Sequence, residues 1–285
     1  MTITRTQPKT AGIDDDHAAL HAAAHNGAAL CTIVGIEGSF SRRLGAQLAV
    51  LPDGDVVGSL ADGCLEQQLA RDVATLRHPA VERYGHGSPK IDFRLPCGGG
   101  LDILLDPEPD RAACRDAIDR LAARRPAHIA LPAPSPLARR DYIPALAIRA
   151  FGEGPELAAF DRLARAMNIA VETRSPGELS LGQVSGLAPA DRWTAIVLLF
   201  HDHEWELALL AEALESEAFF IGVQGGEKAR MSRIADLLAR GISEEAIARI
   251  RSPIGLLPAC KSPATLALSA LSEIVGEYER LRDAA

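Results

Sequence analysis

The sequence predicts an α/β protein in two parts: a mixed α/β N-terminal domain, then a doubly wound parallel sheet. Three observations predict it. The chain has 285 residues, which at roughly 150 per domain makes about two domains. Beyond residue 145, apolar runs of strand length alternate with amphipathic stretches of helix length, the signature of βαβ units. Between the halves, residues 125–144 are rich in Arg and carry Pro126, Pro132, Pro134, Pro136 and Pro144. That composition reads as a linker joining domains 12–124 and 145–285, in which His128–Leu131 could pair as an edge strand but no more.

Each element follows from local chemistry. Asp14 to Asn26 is Ala-rich, starts with acids and stops before Gly27, so it predicts a helix. Leu30 to Ile36 is apolar and β-branched, a strand. Gln47–Leu51 and Val56–Leu60 flank Pro52-Asp53-Gly54-Asp55, which predicts a hairpin. Leu65, Leu69, Val73 and Leu76 form a helical stripe. Short strands are expected at 80–84, 91–95 and 101–105, and a helix over Arg111–Arg124. In the second half, strands are expected at Ala145–Phe151, Ile169–Thr173, Ala195–Phe200 and Phe219–Val223. Helices fill the intervals: one ends near Met167, one covers 205–216 and one stops at Gly241. Ser262-Pro263 supplies an N-cap and first helical residue for a last helix to Leu281.

Composition excludes several classes of function. A formal charge of −8 and 4% aromatic residues argue against a nucleic-acid or anionic-membrane surface. The first residues lack the apolar core of a signal peptide, and no apolar run reaches membrane length, so a cytoplasmic location is expected. Five cysteines in a chain of this size read as free thiols rather than disulfides. Cys31 falls in a strand and Cys114 in a helix, both core positions.

The N-terminal half carries three bends suited to chemistry. Gly38-Ser39-Phe40-Ser41-Arg42-Arg43-Leu44-Gly45-Ala46 offers hydroxyl, N–H and guanidinium donors to an anion. Gly58-Ser59-Leu60-Ala61-Asp62-Gly63-Cys64 runs into a helix, placing a thiol in its first turn, where the helix dipole favours thiolate. Leu95-Pro96-Cys97-Gly98-Gly99-Gly100 sets a second thiol beside glycines able to form a nest of N–H groups. Arg42, Cys64 and Cys97 are expected to converge on one cleft. His17, His21 and His25 recur at four-residue spacing, but no carboxylate or Cys completes a metal set, so they read as a partly solvated helix face.

In the second half, Gly152-x-Gly154 lies between strand and helix, where a dinucleotide pyrophosphate would meet backbone N–H groups. Leu157 replaces the third glycine of that fingerprint, Pro155 stands at the helix start, and Glu172 holds the place of a ribose-binding acid. The shape is Rossmann-like with an incomplete fingerprint. His201-Asp202-His203 follows a buried strand, at the edge where parallel sheets bind ligands, and Gly222-x-x-Gly225-Gly226 follows the next strand.

Taken in order, GSFSRRLGA, GSLADGC, LPCGGG, FHDHEWEL, IGVQGGEKAR, RSPIGL and SPATLALSALSEIV resemble the motifs of the XdhC/CoxI family along nearly the whole chain. The resemblance implies an XdhC/CoxI N-terminal domain, a Rossmann-like C-terminal domain and, often, a homodimer. It implies a maturation factor rather than an enzyme. Such a factor binds the molybdenum cofactor (molybdopterin), supports its sulfuration and inserts it into a xanthine dehydrogenase- or CO dehydrogenase-type molybdenum hydroxylase. A cysteine desulfurase is an expected partner. The implied cofactor-binding residues are Ser39, Arg42, Gly45, Gly63, Cys64, Cys97, Gly98, Gly99, Gly152, Gly154, His201 and His203, with Cys64 and Cys97 facing the metal, since thiolates suit soft centres. Where the family usually has Pro, Gly, Asp and Ser, this chain has Ser41, Asp62, Glu206 and Gly226, and Leu257 replaces the Asp after P-I-G-L. The rival readings are a nucleotide-dependent oxidoreductase built on the Rossmann-like half and a thiol enzyme using Cys64 or Cys97.

Overall fold

The computed structural model describes residues 15–61, 63–89 and 98–284. Cys97 and the strand expected at 91–95 lie outside them. The chain divides into two compact units at Pro144/Ala145.

In the first unit, α1 (Asp15–His25) leads into β1 (Ala29–Glu37), β2 (Gln47–Val50) and β3 (Val56–Val57). Next come α2 (Cys64–Val73), β4 (Ala80–Gly85), β5 (Gly100–Asp106) and α3 (Arg111–Ala122). The sheet has the order β3-β2-β1-β5-β4 and is antiparallel throughout. The central strand β1 is buried on both faces, and its side chains sort by the period of two. Cys31 and Ile33 face α2, against Leu65, Leu69 and Val73. Leu30 faces the other way, toward Ala19, Leu20 and Ala23 of α1 and Cys114 and Ala117 of α3.

Residues 125–144, expected as a linker with at most an edge strand at His128–Leu131, carry a paired hairpin. β6 (Ala127–Ala130) and β7 (Arg139–Tyr142) form an antiparallel hairpin. Ala127 and Ile129 point into the α1–α3 core while His128 and Ala130 are exposed. The Tyr142 hydroxyl donates to the Gln47 side chain, and Gln47 Nε2 donates to Thr32 Oγ1 at 2.9 Å. The edge strand expected at 128–131 is β6, one residue earlier, and only its partner β7, among the prolines and arginines, has no signal in the composition. The histidine row is partly solvated, as expected, and graded along the helix. His17 is buried with its ring near that of Tyr142, while only His25 is exposed. Among the described residues no cluster of His, Cys, Asp or Glu can hold a metal ion.

The second unit runs β8 (Ala147–Gly152), α4 (Gly154–Ala166), β9 (Ala170–Arg174), β10 (Thr194–Leu199), α5 (Glu206–Glu215) and β11 (Phe220–Val223). It ends with α6 (Glu227–Ala239), α7 (Glu244–Ile247), β12 (Ile250–Arg251) and α8 (Pro263–Asp283). All strands are parallel, in the order β12-β11-β10-β8-β9. The chain steps outward from β8 to β9, returns past β8 to β10, then continues outward through β11. The direction of winding therefore reverses between β8 and β10. Ligand crevices of such sheets open beyond the carboxyl ends of the strands at that reversal. Helices α5 and α6 cover one face through Leu209, Leu210, Ala213 and Leu237. Helices α4 and α8 pack on each other. The two-residue β12 and the single-turn α7 were not foreseen; both are shorter than any periodicity can reveal.

Candidate functional site

The three glycine-flanked bends of the first unit are held by side chains at their bases. Arg42 Nε donates to the Ser59 carbonyl at 3.0 Å, so the first bend is tied to the second. A Cβ on Gly38 would lie 3.6 Å from the Cα of Gly99, so the first bend also touches the third. The first bend is thus a neighbour of the second at Ser59 and of the third at Gly99. The thiol of Cys97 lies outside the described residues.

Glu66 shapes the second bend. It sits at the third position of α2 and reaches back over the N-terminus. Its Oε1 accepts from Leu60 N at 3.0 Å, Ala61 N at 2.7 Å and Ser59 Oγ at 3.3 Å; its Oε2 accepts from Gly63 N at 2.8 Å. Burial alone would raise this carboxyl. The N–H groups of Ala61, Glu66 itself, Gly63 and Leu60 outweigh burial and hold it below its ordinary value. Gly63, with φ at 102°, turns the chain into the helix, and Cys64 is then the exposed first residue of α2. Among the described residues, chain neighbours aside, no atom lies within 4 Å of a Cβ placed on Gly63 or on Gly98.

The third bend rests on a charged cluster. Arg83 bonds Glu37 and, at 3.0 Å, Asp102, and its Nε donates to the His86 carbonyl at 2.9 Å. The His86 N–H donates to the Gly99 carbonyl at 2.9 Å. Gly100 has no room for a side chain because the Arg83 guanidinium lies against it. Gly45 has a similar cause: its Cβ would come within 2.8 Å of Arg140 Cδ, and Arg140 Nε donates to its carbonyl at 2.5 Å. Gly45 and Gly99 are buried by packing, whereas Ser39, Cys64 and Gly98 are exposed.

The two core thiols behave as the sequence predicts. Burial pushes Cys31 far above the usual thiol range, with Asp72 and Asp106 adding to it. Burial pushes Cys114 up to about 11.

In the second unit, Gly152 is buried, and a Cβ there would lie 2.5 Å from the Leu199 carbonyl oxygen. The close approach of β8 to β10 requires this glycine without any ligand. Gly154 (φ 71°) starts α4 and is exposed. From the first turn of α4, Glu156 meets His201 Nε2 at 3.2 Å, joining the ends of β8 and β10 across the reversal point. Glu172, expected at a ribose, instead bonds Arg174 at 2.8 Å and lies 3.6 Å from Arg149.

A buried network unites the remaining motifs. The Glu206 carboxylate, its side chain 2% exposed, meets Arg233, 5% exposed, at 2.8 Å. Arg233 also donates to Ser252 Oγ at 2.8 Å and to the Gln224 carbonyl at 3.1 Å. Gln224 Nε2 donates to the Phe200 carbonyl at 2.7 Å. His203 Nδ1 lies 3.0 Å from the second oxygen of Glu206. FHDHEWEL, IGVQGGEKAR and RSPIGL are thus fastened together at the carboxyl edge of β10, β11 and β12. Glu66, Arg233 and Arg140 were not singled out from sequence, and Glu206 was marked there only as standing where the family usually has Asp. Glu66 could have been, as the acid three residues after a helix N-cap; a distant pair such as Glu206–Arg233 leaves no local signal.

Comparison with known proteins agrees with this architecture. Residues 21–85 match the XdhC and CoxI family, and residues 148–274 match the XdhC Rossmann domain. The chain is 30% identical over 293 positions to the molybdenum cofactor insertion chaperone PaoD of Escherichia coli (strain K12), covering 94% of this chain and 91% of that protein. A solved Bacillus halodurans protein described as a xanthine dehydrogenase superposes with a TM-score of 0.72 at 18% identity, over 94% of this chain and 96% of its own. That likeness speaks for the fold. On the family matches and the full-length relative, the chain belongs to the XdhC and CoxI family of accessory proteins.

Proposed function

We propose that this protein binds the molybdenum cofactor in the bends of its first unit, supports sulfuration of the metal and inserts the cofactor into a client hydroxylase of the xanthine dehydrogenase or CO dehydrogenase type. The full-length similarity to an insertion chaperone supports the role in cofactor maturation. The observation that carries the site is the exposed Cys64 at the head of α2, next to Gly63 in a bend tied to Arg42. This arrangement fits the cargo. An anionic phosphate suits N–H groups and a guanidinium, and a soft metal suits a thiolate. In this reading Ser39 and Arg42 serve the phosphate, and Cys64 and Cys97 the metal. In the second unit Gly154, His201 and His203 are the exposed candidate contacts.

The partners of this reading are the client enzyme, a cysteine desulfurase as sulfur source and a second copy of the chain; its setting is the cytoplasm. Among the described residues no helix is long and apolar enough to cross a membrane. The test is retention. Purified protein is mixed with molybdenum cofactor, passed through gel filtration and analysed for molybdenum. The wild type retains the metal, and Cys64→Ala lowers retention about tenfold, the loss of ~1.4 kcal/mol of binding. Equal retention by the variant overturns the assignment of the thiol; no retention by the wild type overturns the function. Binding of a dinucleotide by the wild type, lost when Gly154 is replaced by Trp, would favour the oxidoreductase reading instead.

A further inference from the structure

The Glu206–Arg233 pair does more than fasten loops, because it fixes the chemistry of His203. Glu206 is bonded by the Arg233 guanidinium, Nη2 at 2.8 Å and Nε at 2.9 Å from its Oε2. It is therefore a carboxylate with its charge already balanced, and a carboxylate only accepts hydrogen bonds. The other oxygen stands 3.0 Å from His203 Nδ1, so Nδ1 must carry the proton. In neutral histidine the lone pair then resides on Nε2. Among the described residues Nε2 has no protein partner, and the side chain is 47% exposed at the carboxyl edge of the parallel sheet. The ring also lies over the bend into α6: a Cβ on Gly225 would sit 3.4 Å from His203 Cε1. His201, by contrast, uses its Nε2 on Glu156.

We propose that Glu206, oriented by Arg233, is a positioning residue that holds His203 as an Nδ1–H imidazole and presents Nε2 as a hydrogen-bond acceptor for a neutral N–H donor on a heterocyclic ligand. Such a donor occurs on the pterin of the molybdenum cofactor and, with the same amino-pyrimidinone edge, on guanine. A lone pair at this position disfavours phosphate. The ligand's identity rests on the function proposed above; the state of His203 does not.

The test is nitrogen NMR of the full-length protein with 15N-labelled histidine, at a pH where His203 is neutral. In the wild type, His203 shows a protonated Nδ1 and a bare Nε2. In Glu206→Gln the guanidinium claims the amide oxygen, the amide N–H faces Nδ1, and the proton moves to Nε2, inverting the two signals. Glu206→Asp, the residue usual at this position in the family, restores the wild-type pattern. An Nε2–H signal in the wild type, or no inversion in Glu206→Gln with a folded spectrum, overturns the positioning role. Adding molybdenum cofactor then shifts the Nε2 signal, whereas inorganic phosphate leaves it in place. A shift with guanosine as well shows that the shared edge suffices; a shift with the cofactor alone assigns the donor to the pterin compound. No shift with either, or a shift with phosphate, overturns the ligand class. Retention of cofactor separates the two ring nitrogens: His203→Gln, which keeps a polar atom near Nε2, retains severalfold more than His203→Asn, which keeps one near Nδ1. The reverse order overturns the acceptor. Wild-type protein that retains no cofactor refutes the proposed function while leaving the tautomer result to stand on its own.

Discussion

At the scale of single residues, Glu66 decides the shape of the Cys64 bend, because one buried and three partly buried donors depend on one carboxylate. Glu66→Ala leaves those N–H groups without an acceptor, and a buried unsatisfied donor costs about 1–3 kcal/mol. Chemical denaturation is expected to show that loss, and Glu66→Gln a smaller one. The pH dependence has a definite sign. The carboxyl is held below its ordinary value of 4.5, so its contribution is complete above 4.5 and disappears as pH falls through the lowered value of the folded state. The stability difference between wild type and Glu66→Ala should therefore shrink below pH 4.5, and a difference that grows there would refute this account of the bend. The thiols were legible at this scale: Cys31 and Cys114 lie in regular apolar segments, while Cys64 follows a glycine bend. The glycines were only half legible. Gly63 and Gly98 meet no other element among the described residues, but Gly45 and Gly152 are glycine because Arg140 and the Leu199 carbonyl crowd them. Sequence shows that a glycine is present, not which neighbour demands it.

Elements follow the same division between local and distant causes. Strands and helices with a full period of apolar residues, such as β10 and α2, were readable, because each carries its burial pattern within itself. The β6–β7 hairpin was readable only as a possible edge strand near β6, since its pairing is stabilised by Ile129 and Tyr142 against α1, α3 and β2, remote in sequence. The link from α5 to α6 was not readable. Removing Arg233 leaves the Glu206 carboxylate buried without its partner, which costs about 3–5 kcal/mol. Arg233→Met is expected to lower the denaturation midpoint accordingly, whereas Arg230→Met, a change at an exposed pair on the same helix, costs about 0–1 kcal/mol. Equal effects from the two substitutions would show that the buried network is not what holds these loops.

For the whole molecule, the order of motifs was more informative than any one of them. A lone G-x-G turn or a lone cysteine is common; seven segments in family order are not. The boundary between the units falls after the hairpin, so a fragment of residues 1–144 keeps its cores complete, while 1–124 loses Ala127, Ile129 and Tyr142 from one of them. The longer fragment is expected to unfold cooperatively and the shorter one to lack a sharp transition, as followed by circular dichroism. The claim on which the functional account depends is that Cys64 faces the cargo. It is tested most directly by the alkylation rate of Cys64 in protein with and without bound molybdenum cofactor, with the labelled peptide identified by mass spectrometry. The account predicts that cofactor slows labelling of this exposed thiol by about tenfold or more, a protection worth at least ~1.4 kcal/mol. An unchanged rate in protein shown to carry the cofactor would contradict it.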